Sequence, residues 1–227
     1  MQRQKLTPHF PHQGQTTPRL RAHNCVHLCS GDTVGAVIEY AQNFEDTPVS
    51  FTSGDTQTQT RPSDWVGEKI LDVAAMCETI EYTERPLVMP VPAMVLNDPF
   101  ILEACIKATA QTRLCNQEIS LELTDAAITL YTEEAHALCH LLRRKGFRVS
   151  VDARKSWSGD LPGTDWLMVD TLRIRAKDID TNPDIEDLIE TAASAGVAII
   201  AEQPYWRDGD YLARMGVDYG INPRTDS

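Results

Sequence analysis

Nothing in this 227-residue sequence is apolar for long enough to cross a bilayer. Its longest apolar stretches, Gly196 to Ala201 and Leu87 to Leu96 with two prolines, fall far short of the roughly 20 residues a spanning helix needs. Positive charge is scarce too: 21 basic residues against 33 acidic give a formal charge of −12 with histidine neutral, which excludes a general nucleic-acid binder. No apolar block follows Arg3, Lys5, Arg19 and Arg21, so no secretory leader is expected and the cytoplasm is the expected location. The turns at Gly31-Asp32 and Ser53-Gly54-Asp55 lack the spacing of a phosphate-cradling loop, and no Ser-His-Asp or Cys-His nucleophile stands out. Six cysteines (Cys25, Cys29, Cys77, Cys105, Cys115, Cys139) sit in apolar or helical contexts. A chain of this size needs no covalent staples, and they read as reduced thiols.

What is present is an ordinary globular composition, 42% hydrophobic and 24% charged; one domain is expected over residues 20–227, though the length admits two, behind a basic tail over residues 1–19 that is expected to be disordered. The polar run Thr52 to Pro62 can bury nothing and is expected to be exposed. After it, Ser63 stands as an N-cap before Trp65, Ile70, Val73, Ala74, Cys77 and Ile80 at helical spacing. Asn24 to Cys29 and Val34 to Tyr40 read as a hairpin. Further strands are expected at Leu87 to Val91, Ile119 to Leu123, Arg148 to Asp152, Trp166 to Asp170 and Val197 to Ala201. Helices are expected at Asp98 to Gln111, Thr132 to Lys145, Asp184 to Ala195 and Arg207 to Met215. Asp98-Pro99 and Asn182-Pro183 put a capping side chain before a proline at the first helical position. Gly146 and Gly196 fall where a left-handed C-cap is wanted. Such repeated units imply a parallel sheet, and the length suits a compact α/β barrel of the TIM type.

In such folds ligands lie at the carboxyl ends of the strands. The expected ends carry Glu122, Asp152, Asp170 and Glu202. Four converging acids repel one another unless metal ions or basic groups stand among them; each one alone could instead cap a helix. Other groupings point less sharply. His23, Cys25, His27 and Cys29 alternate along one strand, which spreads them over about 20 Å, too far to converge on one zinc ion. His136 and His140 lie a helical turn apart but lack the glutamate of a His-Glu-x-x-His helix. The acids from Asp178 to Glu190 suit a helix start.

The runs LNDPF, ISLELTDAAI, GFRVSVD, LPGTDWLMVD, GVAIIAE and MGVDYGINP, in that order, resemble the EAL family of cyclic di-GMP phosphodiesterases over about Cys25 to Pro223. The resemblance implies a modified (βα)8 barrel whose mouth holds two Mg2+ or Mn2+ ions that activate a water. It places Glu122 at a metal-binding glutamate, Asp152 at the bridging aspartate, Asp170 at the aspartate of the Lys-x-Asp strand, and Glu202 at the Ala-Glu-Gly glutamate. It also implies losses. Val37 stands at the namesake glutamate with Glu39 two residues on, and Pro90 at an asparagine ligand. Ala153 stands at the second of paired aspartates, Met168 at the catalytic lysine, Tyr205 at a later glutamate, Ile221 at a glutamine, and Ala41 at a phosphate-contacting arginine. With so few oxygens the two-ion site is not expected to assemble, and no cofactor is expected. Arg154 and Lys155 open an altered loop. They could pair with the remaining carboxylates, meet a phosphate or partner, or be a plain exposed basic pair. The resemblance thus implies a catalytically inactive regulator acting through an unidentified protein partner in bacterial signalling of the motility or biofilm type. The alternatives are a cyclic di-GMP receptor that does not cleave, or a weak phosphodiesterase using Glu39.

Overall fold

The computed structural model describes residues 20–40, 61–157, 161 and 163–222; the basic tail and nearly all of the polar run before Pro62 lie outside them. Eight strands close a barrel in chain order: β1 (Leu20–His27), β2 (Thr33–Tyr40), β3 (Leu87–Pro90), β4 (Ile119–Thr124), β5 (Arg148–Asp152), β6 (Thr171–Arg175), β7 (Ala198–Glu202) and β8 (Tyr219–Ile221). β1 runs antiparallel to both its neighbours, β2 and β8, and every other pairing is parallel. The helices are α1 (Pro62–Thr79), α2 (Ile101–Thr109), α3 (Asp125–Leu130), α4 (Thr132–Arg144), α5 (Pro183–Ser194) and α6 (Gly209–Arg214). None of the described helices is long and apolar enough to cross a membrane.

The alternation of β4, ISLELT, shows how sequence builds the site. Ile119, Leu121 and Leu123 join the main core outside the barrel wall, while the intervening Ser120 and Glu122 turn to the lumen, as a two-residue period requires. On the other side of the lumen Cys25, Val37, Val88, Ile200 and Ile221 form a separate apolar cluster. α1 covers the wall with Val66, Ile70, Val73, Ala74 and Cys77, all buried; each large aliphatic among them contributes about 1.5–3 kcal/mol on removal from water.

The helix ends follow the expected chemistry except at the starts of α1 and α2, where α2 begins at Ile101 with Phe100, not Asp98, as its N-cap residue. Asn182 accepts from the Asp184 N–H at 3.1 Å ahead of Pro183, and Gly146 and Gly196 are left-handed at φ 84° and 77°. Ser63 is not the cap of α1: it is buried inside the first turn behind Pro62. Its N–H donates instead to Asp98 Oδ2 at 2.9 Å, while Asp98 Oδ1 accepts from Phe100 N–H at 2.9 Å. One carboxylate therefore satisfies orphan donors at the starts of both α1 and α2.

The sixth strand departs from expectation. Residues Trp166–Met168 form a 3-10 turn and β6 begins five residues later than expected. TLRIR carries Arg173 and Arg175 two positions apart on one face; in a barrel the lumen face of a strand can carry charge if carboxylates meet it. The first strand also begins earlier, at Leu20, and ends at His27, so Cys29 stands exposed in the turn beyond it. α6 opens at Gly209 after a short 3-10 turn, and β8 emerges from a motif too short to read as a strand.

Candidate functional site: the barrel mouth

Above the lumen the strand ends surround a cavity of about 770 Å³. Its polar floor is layered. Ser120 and Ser150 hydroxyls are 2.7 Å apart, and Ser150 also bonds to Thr171. One strand period higher stand Glu122 from β4, Asp152 from β5 and Arg173 from β6. Arg173 Nη2 donates to Glu122 Oε2 and reaches Asp152 Oδ2 at 3.4 Å. At 2% exposed for Glu122 and 6% for Arg173, the pair is shielded from solvent, where a charge persists only if matched. Burial pushes the Glu122 carboxyl up to about 7, a rise that the Arg173 charge opposes and the Asp152 charge reinforces. Among the described residues, Glu122 Oε1 and Arg173 Nε have no hydrogen-bond partner.

At the rim, Arg154 closes a second layer. Its Nε and Nη2 donate to the two oxygens of Asp152 at 2.9 and 2.8 Å, and its Nη1 donates to Glu202 Oε2 at 2.6 Å. Burial alone would raise Asp152, but the Arg154 hydrogen bonds and the Arg173 and Arg154 charges outweigh it and hold that carboxyl below its ordinary value. Asp152 thus touches both guanidinium groups. Lys155 is exposed on the cavity wall. Glu39 also lines the cavity, paired with His23 Nε2 at 2.6 Å.

Glu122, Asp152 and Glu202 therefore come together at the mouth, and Asp170 does not. Asp170 precedes β6, at the opposite end of the barrel. There its Oδ2 accepts from the Val149 N–H at 2.9 Å and its Oδ1 faces Arg143 at 2.5 Å. With β6 beginning at Thr171, Met168 and Asp170 lie ahead of the strand, and Arg173 and Arg175 lie on it. A buried cation is present on β6 after all, in Arg173. Arg175 lines an adjoining groove of about 580 Å³, which shares Arg154 and Glu202 with the mouth. Val37 and Pro90 also line the mouth, and neither side chain offers an oxygen. Ala41 lies outside the described residues. Elsewhere, Cys25 is buried in the lumen and burial pushes its thiol up to about 12. The His136 and His140 rings are 4.4 Å apart, with His136 Nδ1 2.5 Å from Asp165 Oδ1. No group of three or more His, Cys, Asp and Glu among the described residues is arranged to hold a metal ion.

A closed eight-stranded α/β barrel defines the class, and solved structures that share this fold include an EAL enzyme and an EAL domain. PaMucR phosphodiesterase, solved as a c-di-GMP complex, matches with a TM-score of 0.69 at 15% identity, over 89% of this chain and 93% of that one. The EAL domain of FimX gives 0.65 at 16% identity over 89% and 88%. BlrP1 of Klebsiella pneumoniae, solved with manganese and cyclic di-GMP, gives 0.69 at 13% identity over 93% of this chain. The chain spans only 56% of the BlrP1 chain and 60% of EAL enzyme Bd1971. No family model matches the sequence, and no curated protein matches it. At these identities the likeness is one of fold: the chain carries the EAL-like barrel its motifs resemble.

Proposed function

We propose that this protein is a non-catalytic EAL-like regulator that acts by contact with another protein in cyclic di-GMP-related bacterial signalling, of the kind that controls motility or biofilm formation. The observation that carries this reading is the engagement of Asp152 and Glu202 by Arg154, with Arg173 on Glu122. Hydrolysis by the two-ion route needs oxygens free to take two divalent cations, each wanting close to six. The side chains present do not fit that demand. Both oxygens of Asp152 are taken by guanidinium groups, and Ala153, Val37 and Pro90 contribute no side-chain oxygen.

Charge argues against the receptor reading as well. The wall of the mouth sets Glu39, Glu122, Asp152 and Glu202 against Arg154, Lys155 and Arg173, so without ions it has no surplus of positive charge for a doubly anionic dinucleotide. Calorimetric titration of the full chain with cyclic di-GMP, with and without Mg2+, tests the reading: no heat is expected in either case. Micromolar binding without Mg2+ would replace the regulator by a receptor, and Mg2+-dependent heat with linear product would make it an enzyme.

A further inference from the structure

We propose that Arg154 is a resident stand-in for a divalent cation, and that removing its guanidinium converts the Asp152–Glu202 pair into a site for one Mn2+ or Mg2+ ion. The inference rests on the reading of the mouth as unable to load ions, and adds the cause. Asp152 closes β5 and Glu202 closes β7, with β6 between them, so the two carboxylates face each other across a strand. A single planar group spans the gap: three of its nitrogens contact the two acids, all within 2.9 Å. Asp152 and Glu202 are the residues that would hold an ion there.

The turn that delivers Arg154 is short and held at both ends. Arg154 N–H donates to Asp152 Oδ1 at 3.0 Å, and the N–H of buried Ala153 donates to the Arg173 carbonyl at 2.9 Å. Little side-chain freedom is lost by closing the fork onto a carboxylate two residues away, and bidentate arginine pairing is the strong form of the charge-assisted hydrogen bond. An entering ion would have to displace all three bonds while gaining few ligands. Without the Arg154 guanidinium, two acids from the strand ends on either side of β6 keep only Arg173, 3.4 Å from Asp152 Oδ2, as a direct countercharge, and an ion that keeps several of its waters can be bound through one or two carboxylates.

Mn2+ itself is the probe, followed by loss of the electron paramagnetic resonance signal of the free aqua ion. Full-length wild type is expected to leave that signal unchanged at millimolar Mn2+. Arg154→Ala is expected to take up one equivalent at that concentration, seen as the matching loss of the free-ion signal, since Glu202 and both Asp152 oxygens lose their Arg154 bonds. Arg154→Lys keeps the charge and should stay like wild type; adding Glu202→Ala to Arg154→Ala should abolish the gain. If Arg154→Ala does not fold, Arg154→Gln, which keeps a hydrogen-bonding side chain without charge, is expected to show the same gain. Uptake by wild type equal to that of the variants, or no uptake by a variant with native circular dichroism, overturns the inference. The second result leaves the regulatory reading standing, because that reading is judged on wild-type protein with cyclic di-GMP.

Discussion

Glu122 and Arg173 share a hydrogen bond at a depth that water does not reach, and the two residues respond differently to change. Breaking such a pair from one side leaves an uncompensated buried charge. Arg173→Met is therefore expected to cost about 3–5 kcal/mol in urea unfolding. The double variant Glu122→Gln with Arg173→Met should lose less than the sum of the single losses, by about 1 kcal/mol or more, because the pair is in contact. The pH dependence has a definite sign. With its folded value raised from 4.5 to about 7, Glu122 binds a proton in the native state that the unfolded chain has released. Stability is thus expected to fall as pH rises through that window, with the penalty fully present above it. Asp152 acts in the opposite sense: held below its ordinary value, it stabilises at neutral pH and that contribution fades in acid. Urea midpoints at about pH 5 and about pH 7.5 should therefore converge in Glu122→Gln relative to wild type. An unchanged difference would place the titrating group elsewhere.

Among the elements, the starts of α1 and α2 are tied to each other through Asp98, so one substitution unsettles two helices. Asp98→Ala is expected to cost about 1–2 kcal/mol, and more than loss of a single cap ordinarily does. β2 carries a tighter constraint at Gly35, where φ is 145° and a Cβ would stand 2.6 Å from the Pro86 carbonyl oxygen. Gly35→Ala is expected to destabilise by about 2 kcal/mol or more, measured in the same way. These two sites differ in how well they could be read in advance. Asp98-Pro99 marks the approach to α2 but not its first residues, since the helix begins at Ile101 with Phe100 as its N-cap residue; the bond from Ser63, 35 positions away, has no local pattern to show it. β5 was legible to the residue, because RVSVD alternates and follows a glycine C-cap. β6 was not: WLMV looked more like a strand than TLRIR, and only the closed barrel puts Arg173 opposite Glu122 and Asp152. The same five-residue displacement put Asp170 at the wrong end of the barrel and hid the cation of the site.

For the whole molecule, the regular strand and helix alternation after Leu87 made the barrel readable, since each unit carries its own caps and apolar stripe. The chemistry of the mouth was readable only in part. Glu122, Asp152 and Glu202 are found at strand ends as their motifs imply, and Arg154 pairs with two of them, one of the readings open to it. The surplus of acid in the composition concealed a local balance: the cavity that most needs positive charge is supplied with it by two arginines from the chain. The EAL-like barrel is kept while arginines of the chain itself meet the carboxylates at its mouth. The most direct test is a turnover assay, in which the full-length chain is incubated with cyclic di-GMP and saturating Mn2+ or Mg2+ and the linear dinucleotide is quantified by chromatography. No product above the protein-free control is expected; steady formation of linear product, lost on substitution of Asp152, would contradict the account.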